Sequence, residues 1–289
     1  MRIIIYAFFH MSSCKAAHGS LLSCTLPLAV AALRCGHYPI ALGTTMQNDS
    51  PSESASNHTE PDSGQAGFSA EMAQARQRLQ AVSSLALQQF EQALSAYQSN
   101  NQRQAQQVLS QLQRAHDFEV AMDDHCLDML NHTASDRELR LVLALLKAIS
   151  DIEQICNQNV QIAQQVLLNS TCPPSPQQLA AIDTLATPVG TMLGLALAAL
   201  QQSSTAKAEQ ALDMAATVNQ CYGAILRRNL AENSQQPDQL DAVLGANWVA
   251  RALERIAEHS VNLARQAIYM ARVSRGQSAR IELQPRRPR

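Results

Sequence analysis

The stretch Ile152-Glu153-Gln154-Ile155-Cys156-Asn157 returns 101 residues later as Leu253-Glu254-Arg255-Ile256-Ala257-Glu258. The match runs on with Val160 over Val261, Ile162 over Leu263, Ala163 over Ala264 and Gln165 over Gln266. A run of this length at one fixed spacing marks an internal repeat, each copy of which is a single supersecondary unit. Both copies carry apolar residues at helical spacing. In the first they are Val142, Leu145, Ile149, Ile152, Cys156, Ala163 and Val166; in the second, Val249, Leu253, Ile256, Ser260, Leu263, Ala267 and Met270. A period near 3.6 with one apolar stripe predicts an amphipathic helix that buries that stripe against neighbours.

Outward from these two helices the same period recurs, broken only by short polar or proline-containing segments. Six helices follow: about Ser69 to Tyr97, Arg103 to Leu130, Arg137 to Leu168, Pro176 to Gln202, from after Thr205 to about Glu232, and from about Gln239 to Ser274. Pro173 and Pro174 stop the third, and Ser175 reads as an N-cap for the fourth. The predicted fold is all-α: two tandem three-helix bundles of long antiparallel helices, residues 68–171 and 172–275. Composition agrees, since 46% of the chain is hydrophobic while aromatics make up 4% and strand signals are almost absent. A net charge of −2 provides no general field to draw the body to nucleic acid or anionic lipid, so binding falls to local patches.

The seven cysteines are scattered as Cys14, Cys24, Cys35, Cys126, Cys156, Cys172 and Cys221, with no CxxC pair. That pattern excludes a zinc ribbon or a thioredoxin-like site and fits small core residues in a reducing, cytoplasmic setting. HExxH, a P-loop and a nucleophile elbow are missing, and no Ser, His and Asp grouping suggests a triad. His116 and His125 stand nine apart, too far along a helix for one ion. His259 points away from Glu258, and Trp248, beside the apolar stripe, is expected in the core. These absences leave binding, not catalysis, as the expected mode of action.

Several short motifs, in order and at the right spacing, resemble the PhoU family. Glu254-Arg255-Ile256-Ala257-Glu258-His259-Ser260-Val261-Asn262-Leu263 is similar to the family's ERIGDxxxNI stretch, and Glu153-Gln154-Ile155-Cys156-Asn157 is its weaker first copy. Glu119-Val120-Ala121-Met122-Asp123 resembles the family's acidic pair in the second helix, and Glu138-Leu139-Arg140-Leu141 its DLR stretch. The family's Gly-Asp step is replaced by Cys156-Asn157 and Ala257-Glu258, and the acid expected in the fifth helix is Asn219 or absent. The resemblance implies a negative regulator of phosphate uptake and phosphate-starvation signalling. Such a protein contacts the ATPase subunit of the phosphate transporter and the phosphate-sensing histidine kinase. It implies a homodimer, no nucleic acid, and a place at the membrane only through partners. An accessory subunit of another phosphate or anion carrier would share the fold. A di-iron carboxylate enzyme is the weakest alternative, because that chemistry uses Glu-x-x-His pairs and here Cys156 and Ala257 stand where the His would be.

The resemblance also implies metal ions, often iron, on acidic clusters at the bundle surface. Glu119 and Asp123, like Glu254 and Glu258, are four apart and so one turn apart on one helix face. Like charges so placed cost roughly 0.2–0.5 kcal/mol per pair in an isolated helix, a cost that a bridging cation removes. Carboxylate oxygens suit hard or borderline ions, iron or another divalent cation among them. The candidate ligands are Glu119, Asp123, Glu153 and Asn157 in the first copy, and Glu254 and Glu258 in the second. The plainer reading is a solvated acidic face near Arg251, Arg255 and Arg265.

Outside the repeats, residues 276–289 carry Arg280, Arg286, Arg287 and Arg289 against the single acid Glu282 and are expected to form a disordered basic tail. Residues 1–67 are expected to be disordered or, in part, not native. Met1 to Phe9 and the interrupted Leu21 to Leu42 make neither a convincing membrane span nor a good secretory signal. Met46 opens a polar stretch typical of an N-terminal tail, and translation is expected to start there. The intact mass of the native protein tests this: a chain beginning at Met46 is the expected result, and one containing Met1 contradicts it.

Overall fold

Each repeat turns its corners with side-chain caps that the sequence supplies locally. Ser135 and Ser175 close capping boxes with Glu138 and Gln178, so the serine oxygen accepts from the third backbone N–H while the Glu or Gln side chain accepts from the serine N–H. Asn101 and Ser204 cap the second helix of each repeat in the same way, accepting from Gln104 and Lys207 N–H. In the computed structural model of the chain the described residues are 63–131, 133, 135–169, 173–233 and 240–276. The expectations about residues 1–62, Met46, Cys14, Cys24, Cys35, Cys172 and the arginines of the tail fall outside them.

Among the described residues regular structure is entirely helical. Eight helical segments form six rods: α1 (Ser63–Ser99); α2 (Gln102–Ser110) with α3 (Leu112–Asn131); α4 (Asp136–Leu168); α5 (Pro176–Gln202); α6 (Thr205–Asp213) with α7 (Ala215–Asn233); and α8 (Leu240–Ser274). The second and fifth rods were expected to be continuous and are each broken once. At Gln111 the backbone N–H reaches the Val108 carbonyl, three residues back, at 3.1 Å, and four-residue bonding resumes with Ala115 N–H to Gln111 O. The counterpart break is at Met214, after which Val218 N–H bonds Met214 O. Neither position is Gly or Pro, and the two residues differ chemically. The shared break therefore belongs to the packing of the repeat and not to a local breaker.

The two repeats meet along their first and third helices. Gln98 on α1 donates to Asp183 on α5 at 2.9 Å, and a Cβ at Gly190 would lie 2.8 Å from a Phe90 ring carbon, so α1 and α5 run antiparallel in close contact. Between α4 and α8, Arg137 donates to the Ser274 carbonyl at 2.6 Å at one end. In the middle, Asp151 accepts from His259 Nδ1 at 2.8 Å and from Asn262 at 3.1 Å. Gly245 abuts Asn169 at the other end. This is the most extensive helix pair among the described residues. With α1 against α4 and α5 against α8, four helices form a central ring, while α2–α3 and α6–α7 lie on the outside of their own repeats.

Every residue of the two stripes is buried, from Val142 and Leu145 to Val166 and from Val249 and Leu253 to Met270. They join a single apolar core that runs through both repeats. Two serines inside it, Ser83 and Ser260, return their hydroxyls to the carbonyl one turn back at 2.7 and 2.8 Å, and Asn159 donates to the Ala86 carbonyl at 3.0 Å. By length and composition α5 is apolar enough to cross a membrane. Its apolar faces are accounted for by α1, α6, α7 and α8, which pack around it. Trp248 departs from expectation: it is 62% exposed, because Val249, Ala250 and Leu253 face the core and Trp248 falls on the opposite side of α8. Ile152 and Leu253 are fully buried counterparts. Ile152→Ala and Leu253→Ala should each lower stability by about 2–5 kcal/mol in urea unfolding. A loss below about 1 kcal/mol at either one would contradict their equivalent burial.

Candidate functional site

On the outer side of the first repeat, α3 lies on α4 and brings side chains from both into one cluster. His116 and Glu119, three apart on α3, face the same way, with Nδ1 3.6 Å from the carboxylate. Glu153 on α4 joins them, so that the imidazole nitrogen and one oxygen from each carboxylate all lie within 4.8 Å of one another. His116 is more than half exposed, whereas the Glu119 side chain is only 13% exposed, and Glu153 is half-buried. Gln154 donates to Glu153 at 2.7 Å and orients it. Asp123 sits exposed one turn further along α3 and is not a member of the cluster; Asn157, one turn beyond Glu153, is half-buried. His116, passed over in the sequence because it was weighed only against His125, is the member that reasoning missed. Its spacing of three from Glu119 was the available signal. His125 does something else: it is buried and its Nε2 lies 3.2 Å from the Glu71 carbonyl, tying α3 to α1.

Two thiols are buried on these two helices, Cys126 on α3 and Cys156 on α4. Burial, followed by the nearby Glu153 carboxylate, pushes the Cys156 thiol up to about 12, and burial with Asp123 pushes Cys126 up to about 11. Both are therefore neutral thiols at physiological pH, inert core residues and not ligands or nucleophiles. Cys221 is half-buried on α7.

The second repeat is arranged differently at the matching place. Arg251 donates to Glu254, one turn along α8, and the Tyr222 phenol on α7 feels the charges of both. Burial would by itself lower the Arg251 guanidinium, but the hydrogen bond and charge of Glu254 more than offset it, so the net direction is up. Burial and Glu254 raise the Tyr222 phenol above its ordinary value, with Arg251 opposing. Glu258 is exposed and meets Arg255 at 3.3 Å. A half-exposed pair of that kind is worth about 0–1 kcal/mol. His259, expected to stand apart, instead clasps Asp151 across the two repeats, as described above.

The residues present thus fit a metal ion unequally. His116, Glu119 and Glu153 offer one nitrogen and two oxygens from two helices, at separations that a change of rotamer can close onto a single ion. A divalent cation there would neutralise the two carboxylates and cross-link α3 to α4. Glu254 and Glu258 already have guanidinium partners and do not fit one.

Two linked three-helix repeats, joined through their first and third helices and carrying carboxylates where the second helix meets the third, define a duplicated helical-bundle class. A family model of the PhoU domain matches the chain twice, over residues 79–166 and 182–267. The chain belongs to the PhoU family. It is similar to the phosphate-specific transport system accessory protein PhoU homolog of Pseudomonas putida, 26% identical over 206 residues, covering 71% of this chain and 80% of the relative. The Escherichia coli accessory protein PhoU is 26% identical over 205 residues, covering 70% and 84%. Among solved structures, PhoU from Pseudomonas aeruginosa superposes with a TM-score of 0.69 at 26% identity, covering 73% of this chain and all of that one. The phosphate transport system regulatory protein PhoU from Streptococcus pneumoniae shares the fold, with a TM-score of 0.64 at 20% identity.

Proposed function

We propose that this protein is a negative regulator of phosphate uptake and of phosphate-starvation signalling. It acts in the cytoplasm by contact with the ATPase subunit of a phosphate transporter and with a phosphate-sensing histidine kinase. The observation that carries this reading is the double PhoU match over most of the described region, together with relatives whose names place them in the phosphate-specific transport system. The mode of action needs no covalent step: a partner held in one of its conformations by differential binding is regulated by that binding alone.

The surface supports contact as the working principle. Leu244 and Trp248 stand one turn apart on α8, 46% and 62% exposed, and Leu168, 72% exposed, precedes the Asn169 that abuts Gly245. Exposed aromatic and aliphatic side chains grouped at one end of a bundle are the kind that a protein partner buries. A second copy of the chain is the other occupant such a patch could take, in keeping with a homodimer. The three-residue cluster of the first repeat is proposed to hold iron or another divalent cation in a structural role. The alternative partner is the carrier of another phosphate or anion, reached by the same surfaces.

Deleting the gene tests the regulatory reading. Phosphate-scavenging genes should be derepressed in cells given excess phosphate, and the tagged protein should recover the transporter ATPase or the kinase from the same cells. Unaltered expression with excess phosphate would overturn it, and recovery of a different anion carrier would favour the alternative.

A further inference from the structure

The duplication allows the two repeats to be compared position by position. Through the first two rods the left-handed residues Asn100 and Ser203, the N-caps Asn101 and Ser204, the breaks at Gln111 and Met214, and the buried pairs Leu79 and Ile182, Ala115 and Val218, Met122 and Ile225 all stand 103 apart. On that register His116 corresponds to Asn219 and Glu119 to Tyr222. Arg78 corresponds to Ala181, Phe118 to Cys221, Ala121 to Ala224 and His125 to Arg228. Each second rod is tied to its first rod at one level: His125 Nε2 lies 3.2 Å from the Glu71 carbonyl in one repeat, and Arg228 donates to Gln177 at 3.0 Å in the other. Beside that tie the repeats part. In the first, Arg78 crosses from α1 to donate to the Ala121 carbonyl on α3 at 3.2 Å, and Phe118 packs against the core with the Arg114 guanidinium 5.9 Å from its ring centre. In the second, Ala181 and Cys221 stand where those two long side chains were, and a cavity of about 320 Å³ opens between α5 and α7. The buried Ile225, with Ala181, Cys221 and Ala224, makes it apolar, while Arg228, one turn beyond Ala224, places a cation at the end nearest Gln177.

We propose that this cavity is a binding site for a small aryl carboxylate, its ring against Ala181, Cys221, Ala224 and Ile225 and its carboxylate at Arg228. The first repeat supplies the template, because there the chain's own phenyl ring and an arginine stem take up the corresponding place. Interiors are close-packed, so the loss of both side chains with no larger neighbour in exchange leaves room for an added molecule. The volume is that of a small-ligand site, in which an apolar wall supplies affinity and one charged group fixes orientation. Four residues of helix separate Ala224 from Arg228, about 6 Å, the span of a short alkyl chain between ring and carboxylate. Inorganic phosphate would leave the apolar wall in water, and an uncharged arene would leave the guanidinium unused. Arg228 can keep its bond to Gln177 while it meets a carboxylate, since a guanidinium carries several N–H donors. A ligand so placed would link α5 to α7, as Arg78 links α1 to α3. The assignment does not depend on which partner the protein regulates.

Cys221 lines the cavity and reports on its occupancy. The reduced full chain is treated with iodoacetamide over a range of 4-phenylbutyrate concentrations, and the rate of alkylation at Cys221 is read from the mass of its peptide. The rate should fall saturably, with half-protection in the millimolar range, whereas inorganic phosphate should leave it unchanged. The uncharged 4-phenylbutan-1-ol should protect roughly tenfold less well, and Arg228→Gln should remove the difference between acid and alcohol. Ala181→Arg restores the first-repeat side chain and keeps the thiol; it should slow alkylation by itself and abolish the response to 4-phenylbutyrate. Circular dichroism checks that each variant is folded, and Ala224→Leu, at an exposed position, fills the cavity from α7 if Ala181→Arg unfolds. No protection by 4-phenylbutyrate, equal protection by phosphate, or protection that persists in a folded cavity-filling variant would each overturn the proposal. Equal protection by acid and alcohol on the unaltered chain would overturn the assignment of the carboxylate to Arg228.

Discussion

The antiparallel seam between α4 and α8 is the contact on which the remaining architecture rests. Each helix presents an apolar stripe that cannot be buried by its own repeat alone, because both repeats turn their third helix toward the centre. A helix of 33 residues is about 50 Å long, so small errors of register would accumulate along it. Contacts at three levels fix the register: Arg137 on the Ser274 carbonyl of α8, Asp151 with His259 and Asn262 in the middle, and the close approach of Asn169 to Gly245. Burial supplies the stability, and these contacts select one alignment among several that would bury similar area. With α1 and α5 closing the ring, the outer rods are left to carry what differs between the repeats.

That division explains where variation is tolerated. In the central ring the counterpart residues keep their character, as with Ile152 and Leu253 or Ala163 and Ala264, since a change there would be felt by both repeats. On the outer face Glu119 has become Tyr222 and His116 has become Asn219 without disturbing the buried pairs one turn away. A duplicated fold thus holds an imidazole with two carboxylates in one copy and an Arg–Glu ion pair in the other around one shared core.

Much of this was legible in the residues alone. The stripes follow from the helical period, and the cap at Ser175 is local chemistry that needs no tertiary context. The repeat displayed itself in one run of matched residues. The breaks at Gln111 and Met214 were not legible, because they arise from how a rod lies against two others and leave no Gly or Pro behind. Trp248 was expected in the core because it adjoins the apolar stripe in sequence, although it precedes Leu253 by five residues, about 140° around the helix from the stripe. At the outer face Glu119 and Glu153 were recognisable, but not the mixed character of their cluster. His116 stands three residues from Glu119 in the sequence, but that the two share a cluster with Glu153 shows only once α4 is known to lie beside α3.

The central claim is that the two repeats share one core and do not stand as independent bundles joined by a linker. Differential scanning calorimetry of the intact chain tests it most directly, by comparing calorimetric and van't Hoff enthalpies. A shared core predicts a single transition in which the two enthalpies agree. Two resolved transitions, each with about half the heat, would contradict it.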